Sequence, residues 1–224
     1  MNDPRATILQ DLRANLGRQG KDSAALKAVH TRLQRHQRGT IPARSKGDRA
    51  TLVRLFERQA VAAEATIFHV RHDSEIPQAV AEFLAQENLP ARLRIAPDER
   101  LMGIDWASRP TLSTSFGATD GSDAVALVRA FSGIAETGTL MLHSGKQSPT
   151  TLNFLPDTHI VLLDSGRIVG AYEEAWDNLR TAGAMPRTVN FVTGPSRTAD
   201  IEQTLLMGAH GPRRLHIIMR NDGT

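Results

Sequence analysis

The stretch from Ala65 to Ala96 constrains the fold more than any other. Ala65–Val70 (ATIFHV) is a short β-branched and aromatic run, the composition of a strand. Ile76–Gln86 places Ile76, Val80, Phe83 and Leu84 at the spacing of one helical face. Ala91–Ala96 is a second short apolar run. Parallel neighbours need a crossover connection, usually helical, so strand, helix, strand at this pitch predicts a parallel α/β sheet.

The same alternation continues toward the C-terminus. A helix is expected over Arg49–Ala63, carrying Leu52, Val53, Leu55, Phe56 and Ala60, and another over Ser122–Ala130, capped by Ser122 or Asp123. Gly133–Glu136 and Thr139–His143 read as two strands around Thr137-Gly138. His159–Leu163 and Ile168–Gly170 read as another pair around Asp164–Arg167. Tyr172–Ala182 is an expected helix, Val189–Val192 a strand, Ala199–Met207 a helix and Leu215–Met219 a final strand. The fold class is α/β, with a mixed, mainly parallel sheet flanked by helices.

A helical N-terminal extension precedes this body. Asn2-Asp3-Pro4 is a helix start, since proline suits the first turn. Ile8, Leu9, Leu12 and Leu16 follow at helical spacing until Gly17 and Gly20 break it. A second start at Asp22-Ser23 leads into Leu26, Val29 and Leu33. Residues 36–48 (HQRGTIPARSKGD) form a basic linker, which sets the expected boundaries at 1–48 and 49–224.

Charge separates along this division. Residues 1–60 hold 13 Lys/Arg against 5 Asp/Glu, whereas the remainder holds 14 against 19. A basic segment of this kind suits an acidic partner or a solvated face. It contains one aromatic, Phe56, so base stacking has little to work with and nucleic acid is not expected. No apolar run reaches about 18 residues, the length of a spanning helix, and no uninterrupted apolar run of a secretory leader precedes the body. The expected location is cytoplasmic. The chain has no cysteine, which removes disulfides, thiolate nucleophiles and cysteine-ligated iron–sulfur clusters together.

Three segments carry candidate chemistry. Thr193-Gly194-Pro195-Ser196-Arg197-Thr198-Ala199-Asp200-Ile201-Glu202 follows a strand and opens the expected helix. Unpaired N–H groups at a helix start favour an anion, two hydroxyls flank them, and Arg197 adds a fork suited to carboxylate or phosphate. A purely structural role is equally open: Thr198 caps the helix while Asp200 and Glu202 complement its dipole. Gly133–Thr139 puts Glu136 at the end of an apolar strand, either as a base or nucleophile or as a carboxylate that ties down a turn. Gly208-Ala209-His210-Gly211-Pro212 places His210 in a turn, able to donate to an anion or simply to satisfy the backbone. His69 and His72 do not share a strand face, so no metal site is expected. Trp106 and Trp176 read as packing residues or surface anchors.

Gly133–Leu142 (GIAETGTLML), Leu155–Val161 (LPDTHIV), Thr193–Glu202 and Gly208–Pro212, in this order, resemble the LUD domain of the lactate utilization protein C family. The resemblance covers roughly Thr51 to Met219 and makes 49–224 a LUD domain. It implies the fold shared by ribose-phosphate isomerase, glucosamine-phosphate deaminase, CoA transferases and formyltetrahydrofolate cyclo-ligases. Members act with two iron–sulfur lactate utilization proteins, of the A and B type, in oxidising L-lactate to pyruvate. No cofactor is then expected on this chain, and the clusters belong to the partners. The expected ligand is a small carboxylate or phosphate held by Arg197, with Thr137, Gly138, Gly194, Ser196, Thr198, Asp200 and Gly211 around it and Glu136 or His210 at its other end. The alternative is a stand-alone isomerase- or transferase-type enzyme acting on a phosphorylated or CoA-linked substrate. A third reading is a scaffold that binds partners and keeps a vestigial pocket.

Overall fold

A computed structural model describes residues 4–17, 23–198, 206–208 and 210–221. The chain divides into two compact units, residues 1–40 and 41–224. The first contains α1 (Pro4–Asn15) and α2 (Ser23–Arg35), on which Ile8, Leu12, Leu26 and Leu33 are exposed. The expected starts Asn2-Asp3 and Asp22, and the expected break at Gly20, lie outside the described residues.

The second unit begins with α3 (Arg49–Ala62), whose first turn is capped by the Asp48 carboxylate accepting from the Thr51 N–H at 2.8 Å. The expected strand–helix–strand follows as β1 (Thr66–Val70), α4 (Ile76–Gln86) and β2 (Arg92–Ile95). After a short α5 (Glu99–Met102) come β3 (Ser113–Phe116), β4 (Val125–Arg129), β5 (Ser132–Ile134), β6 (Thr139–His143) and β7 (Thr158–Asp164). The remainder is β8 (Ile168–Val169), α6 (Tyr172–Thr181), β9 (Val189–Val192), β10 (Arg197–Thr198), β11 (Leu206–Met207) and β12 (Arg214–Arg220).

Six strands form a wholly parallel sheet in the order β1-β12-β7-β4-β2-β3. Its inner strands β7 and β12 are buried along almost their whole length, as parallel strands covered on both faces must be. The Phe83 ring of α4 stacks on His216 of β12 with centroids 3.8 Å apart. Leu163 of β7 sits one strand face away from His216, and it meets Phe56 of α3 around Gly133. The pair expected around Thr137-Gly138 is antiparallel and lies in a second sheet, β8-β5-β6-β9. On this sheet Ile134 and Met141 pack with Ala175 and Leu179 of α6.

Three expectations are corrected. The helix over Ser122–Ala130 is strand β4, an inner strand of the parallel sheet. Its Val-Ala-Leu-Val run is apolar on both faces and so has no helical periodicity of its own. The strands around Asp164–Arg167 do not pair with each other: β7 pairs with β4 and β12, and β8 with β5. Leu206–Met207 is not the end of a helix but a strand antiparallel to Arg197–Thr198. The interior of that expected helix, 199–205, lies outside the described residues, as do Asp200 and Glu202.

Candidate functional site

The sequence-marked segments converge on the C-terminal end of α3. Gly138 has φ +67° and Gly194 φ +73°, both in the left-handed region where glycine is favoured. A Cβ on Gly138 would run into the backbone of Gln59 and Ala60, and one on Gly194 into the Ala63 carbonyl. Between these turns the hydroxyls of Thr139 and Thr193 lie 2.6 Å apart, and Thr137 and Thr139 2.7 Å apart. The Tyr172 hydroxyl joins Thr137 at 3.1 Å and Thr139 at 3.0 Å.

Glu136 is buried beside this network. Its carboxylate accepts from the Tyr172 N–H at 3.4 Å, and its own N–H donates to the Gly170 carbonyl at 3.1 Å. It therefore meets one of the unpaired N–H groups that open α6, a position that favours negative charge. The Ser196 N–H donates to the Pro212 carbonyl at 2.8 Å, and its carbonyl accepts from Gly208 at 2.9 Å. The His210 N–H points at the Ser196 hydroxyl at 3.4 Å, and Gly211 packs beside the Ser196 side chain. Thr193–Arg197 and Gly208–Pro212 are thus tied to each other.

Two positions of the expected helix-start cradle have partners within the chain. Thr198 stands in β10 opposite Leu206, and the residues it was expected to cap lie outside the described residues. Arg197 is bridged to Glu64 at 3.0 Å, with more than half of the Glu64 side chain exposed, so its charge is already met at the surface. Asp200 lies outside the described residues.

A different arrangement occupies the carboxyl ends of the parallel strands. From β2 the chain moves outward to β3, whereas from β4 it moves the other way to β7. Neighbouring strands that depart in opposite directions leave a crevice between their ends, where ligands of open α/β sheets bind. Here that crevice borders a cavity of about 530 Å³. It is lined by Asp98 after β2, Arg129 at the end of β4, Phe131 just beyond, Lys146 after β6 and Arg167 after β7. Asp98 accepts from the Arg129 guanidinium at 3.0–3.2 Å and caps α5 through the N–H groups of Arg100 and Leu101. The Arg167 guanidinium lies 5.8 Å from the Phe131 ring centre, and His143 meets the same ring edge-on at 5.3 Å.

The same edge carries a tighter ion network. Arg100 donates to Asp73 at 2.7 and 2.9 Å and to Asp164 at 2.7 and 2.8 Å, and Arg220 donates to Asp164 at 2.7 Å. Burial alone would raise the Asp164 carboxyl, but hydrogen bonds from Arg220 and Arg100 outweigh it and hold it below the usual range. Two carboxylates meet two guanidiniums here, which leaves no charge over for a ligand. The sequence marked none of Asp98, Arg129, Lys146 or Arg167. They come from four separate segments, and Arg129 falls within the stretch that reads as a helix.

The LUD domain family model matches residues 53–219. The lactate utilization protein C of Deinococcus radiodurans is 32% identical over 76% of this chain and 80% of its own length. The chain is a LUD-domain protein of the lactate utilization protein C family. An uncharacterized protein of Neisseria meningitidis serogroup B is 44% identical to this LUD-domain chain over 38% of its residues. That match spans 37% of the Neisseria protein's length, and the matches to several Geobacillus lactate utilization proteins C span about two-fifths of theirs. The crystal structure of a DUF162 family protein from Deinococcus radiodurans shares 25% identity with a TM-score of 0.56, covering 78% of the LUD-domain chain and 99% of its own. No described helix is long and apolar enough to cross a membrane.

Proposed function

We propose that this chain is the cluster-free member of a lactate-utilizing system that oxidises L-lactate to pyruvate, and that it holds a small anion while two iron–sulfur proteins carry the electrons. The carrying observation is the likeness to a lactate utilization protein C across 76% of the chain, joined to a sequence without cysteine. Cysteine-ligated clusters need thiolates that this chain lacks. The basic N-terminal helices suit the docking of an acidic partner.

Deleting the gene should abolish growth on L-lactate and leave growth on pyruvate intact, and the tagged chain from lactate-grown cells should bring down two cysteine-rich iron–sulfur proteins. Normal growth of the deletion strain on L-lactate would remove the proposal. A second reading, a stand-alone isomerase or transferase acting on a phosphorylated or CoA-linked substrate, is favoured by the cavity at the strand ends. It requires the purified chain to be stabilised in thermal unfolding by a phosphosugar or by CoA with no partner present.

A further inference from the structure

The cavity beside β2 and β4 carries an unbalanced charge. Its lining includes three cationic side chains, Arg129, Lys146 and Arg167, and one carboxylate, Asp98. The Asp98–Arg129 pair is closed on itself, since Asp98 also accepts two helix N–H groups. Lys146 and Arg167 have no carboxylate partner among the described residues. Two positive charges therefore face one cavity.

Both residues are exposed at its rim, and the backbone that carries each is fixed. Lys146 sits in a turn closed by reciprocal backbone hydrogen bonds between Gly145 and Ser148, at 3.1 and 3.2 Å. That turn is anchored outside by Gln147, which donates to Glu99 at 2.9 Å, and by Ser144, which exchanges hydrogen bonds with Thr188. The Arg167 carbonyl accepts from the Ser132 hydroxyl at 2.7 Å, and its guanidinium rests on Phe131. Phe131, Ala130 and Ala182 add an apolar wall. A cavity of this size suits a small molecule with one charged end.

We infer that this cavity is a binding site for a small organic oxyanion, a carboxylate or phosphoryl group gripped by Arg167 and Lys146, with the rest of the molecule against Phe131. Arg167 supplies the two-pronged contact suited to a planar oxyanion and Lys146 a point charge. The anion of the reading above is thereby given a site other than the Arg197 loop; the assignment rests on that reading only in taking a small acid as ligand.

The test is calorimetric titration of the full chain with pyruvate, L-lactate, inorganic phosphate and glucose 6-phosphate. At least one should bind, R167Q and K146Q should each weaken it tenfold or more, and R197A should bind as the parent does. Thermal unfolding of each variant within about 2 °C of the parent secures the comparison. No binding by any probe at millimolar concentration, or binding that R167Q and K146Q leave unchanged, overturns the site. Binding of phosphate or the phosphosugar alone keeps the site and removes lactate and pyruvate as its ligands. Growth failure of the deletion strain on L-lactate, with no probe bound, would keep the pathway role and remove the site.

Discussion

His159 lies in β7 between β4 and β12, fully buried, and neither ring nitrogen has a hydrogen-bond partner among the described residues. Burial pushes it from the usual 6.5 down to about 3, and burial pushes His216, whose Nδ1 meets Thr66 at 2.7 Å, down to about 4. Both rings are neutral in the fold, while in the unfolded chain they take up protons once the pH falls below 6.5. Stability is therefore complete above that value and is lost as the pH falls from it toward the folded values. Each ring contributes a loss of about 2 kcal/mol at pH 5. His159→Leu removes one of the two and leaves no unpaired nitrogen behind. Urea unfolding at pH 7 and pH 5 should show about half the parent's loss, with stability at pH 7 kept or raised. An unchanged pH dependence would show that His159 is not held neutral.

At the scale of elements, the two turns that pack on α3 explain why glycine stands at Gly138 and Gly194. A Gly194→Ala chain must move the Ala63 carbonyl as well as accept a left-handed backbone. The expected cost is about 3 kcal/mol or more. Gly183 also has a positive φ, at +136°, but open space surrounds its Cβ position, so Gly183→Ala carries backbone strain alone and should cost less, about 1–2 kcal/mol. Comparable losses in chemical denaturation would mean that the packing on α3 is not what demands Gly194. The sequence located these turns because Thr137-Gly138 and Thr193-Gly194 announce themselves locally. It located β1, α4 and β2 for the same reason, each having a clear period or strong strand formers. β4 imitates a helix because it is buried on both faces and preceded by Ser122 and Asp123, which look like caps. In the fold Asp123 instead accepts from Arg94 of the neighbouring strand at 2.9 Å, a partner no local pattern announces. β3 has an exposed, polar Ser-Thr-Ser-Phe sequence and gave no signal.

Across the whole molecule, the carboxyl edge of the parallel sheet is sewn together by charge. Asp164 at the end of β7 joins Arg220 at the end of β12 to Arg100 beyond β2, and Arg100 continues to Asp73 beyond β1. Asp164→Asn leaves two guanidiniums competing for one carboxylate. The expected cost is about 2–3 kcal/mol, or a Tm lower by about 5–10 °C at pH 7. The Asp164 carboxyl is held below its ordinary value of 3.8, so its contribution is present above that pH and is lost as the pH falls further. The Asn variant should therefore lose less than the parent between pH 5 and pH 3 in thermal unfolding, and an equal loss would rule out Asp164 as a source of acid sensitivity. The candidate cavity was illegible for a reason of the same scale. Asp98, Arg129, Lys146 and Arg167 become neighbours only once β2, β4, β6 and β7 are in register, and no spacing in the sequence encodes that. The strand order has a temporal side. Among the described residues β1 pairs only with β12, and Thr66 and His216 are 150 residues apart. The first described strand must therefore wait for the last described one, which slots between β1 and β7. Until β12 is made β1 offers an unsealed margin, so the nascent chain depends on whatever shields it until the closing strand arrives.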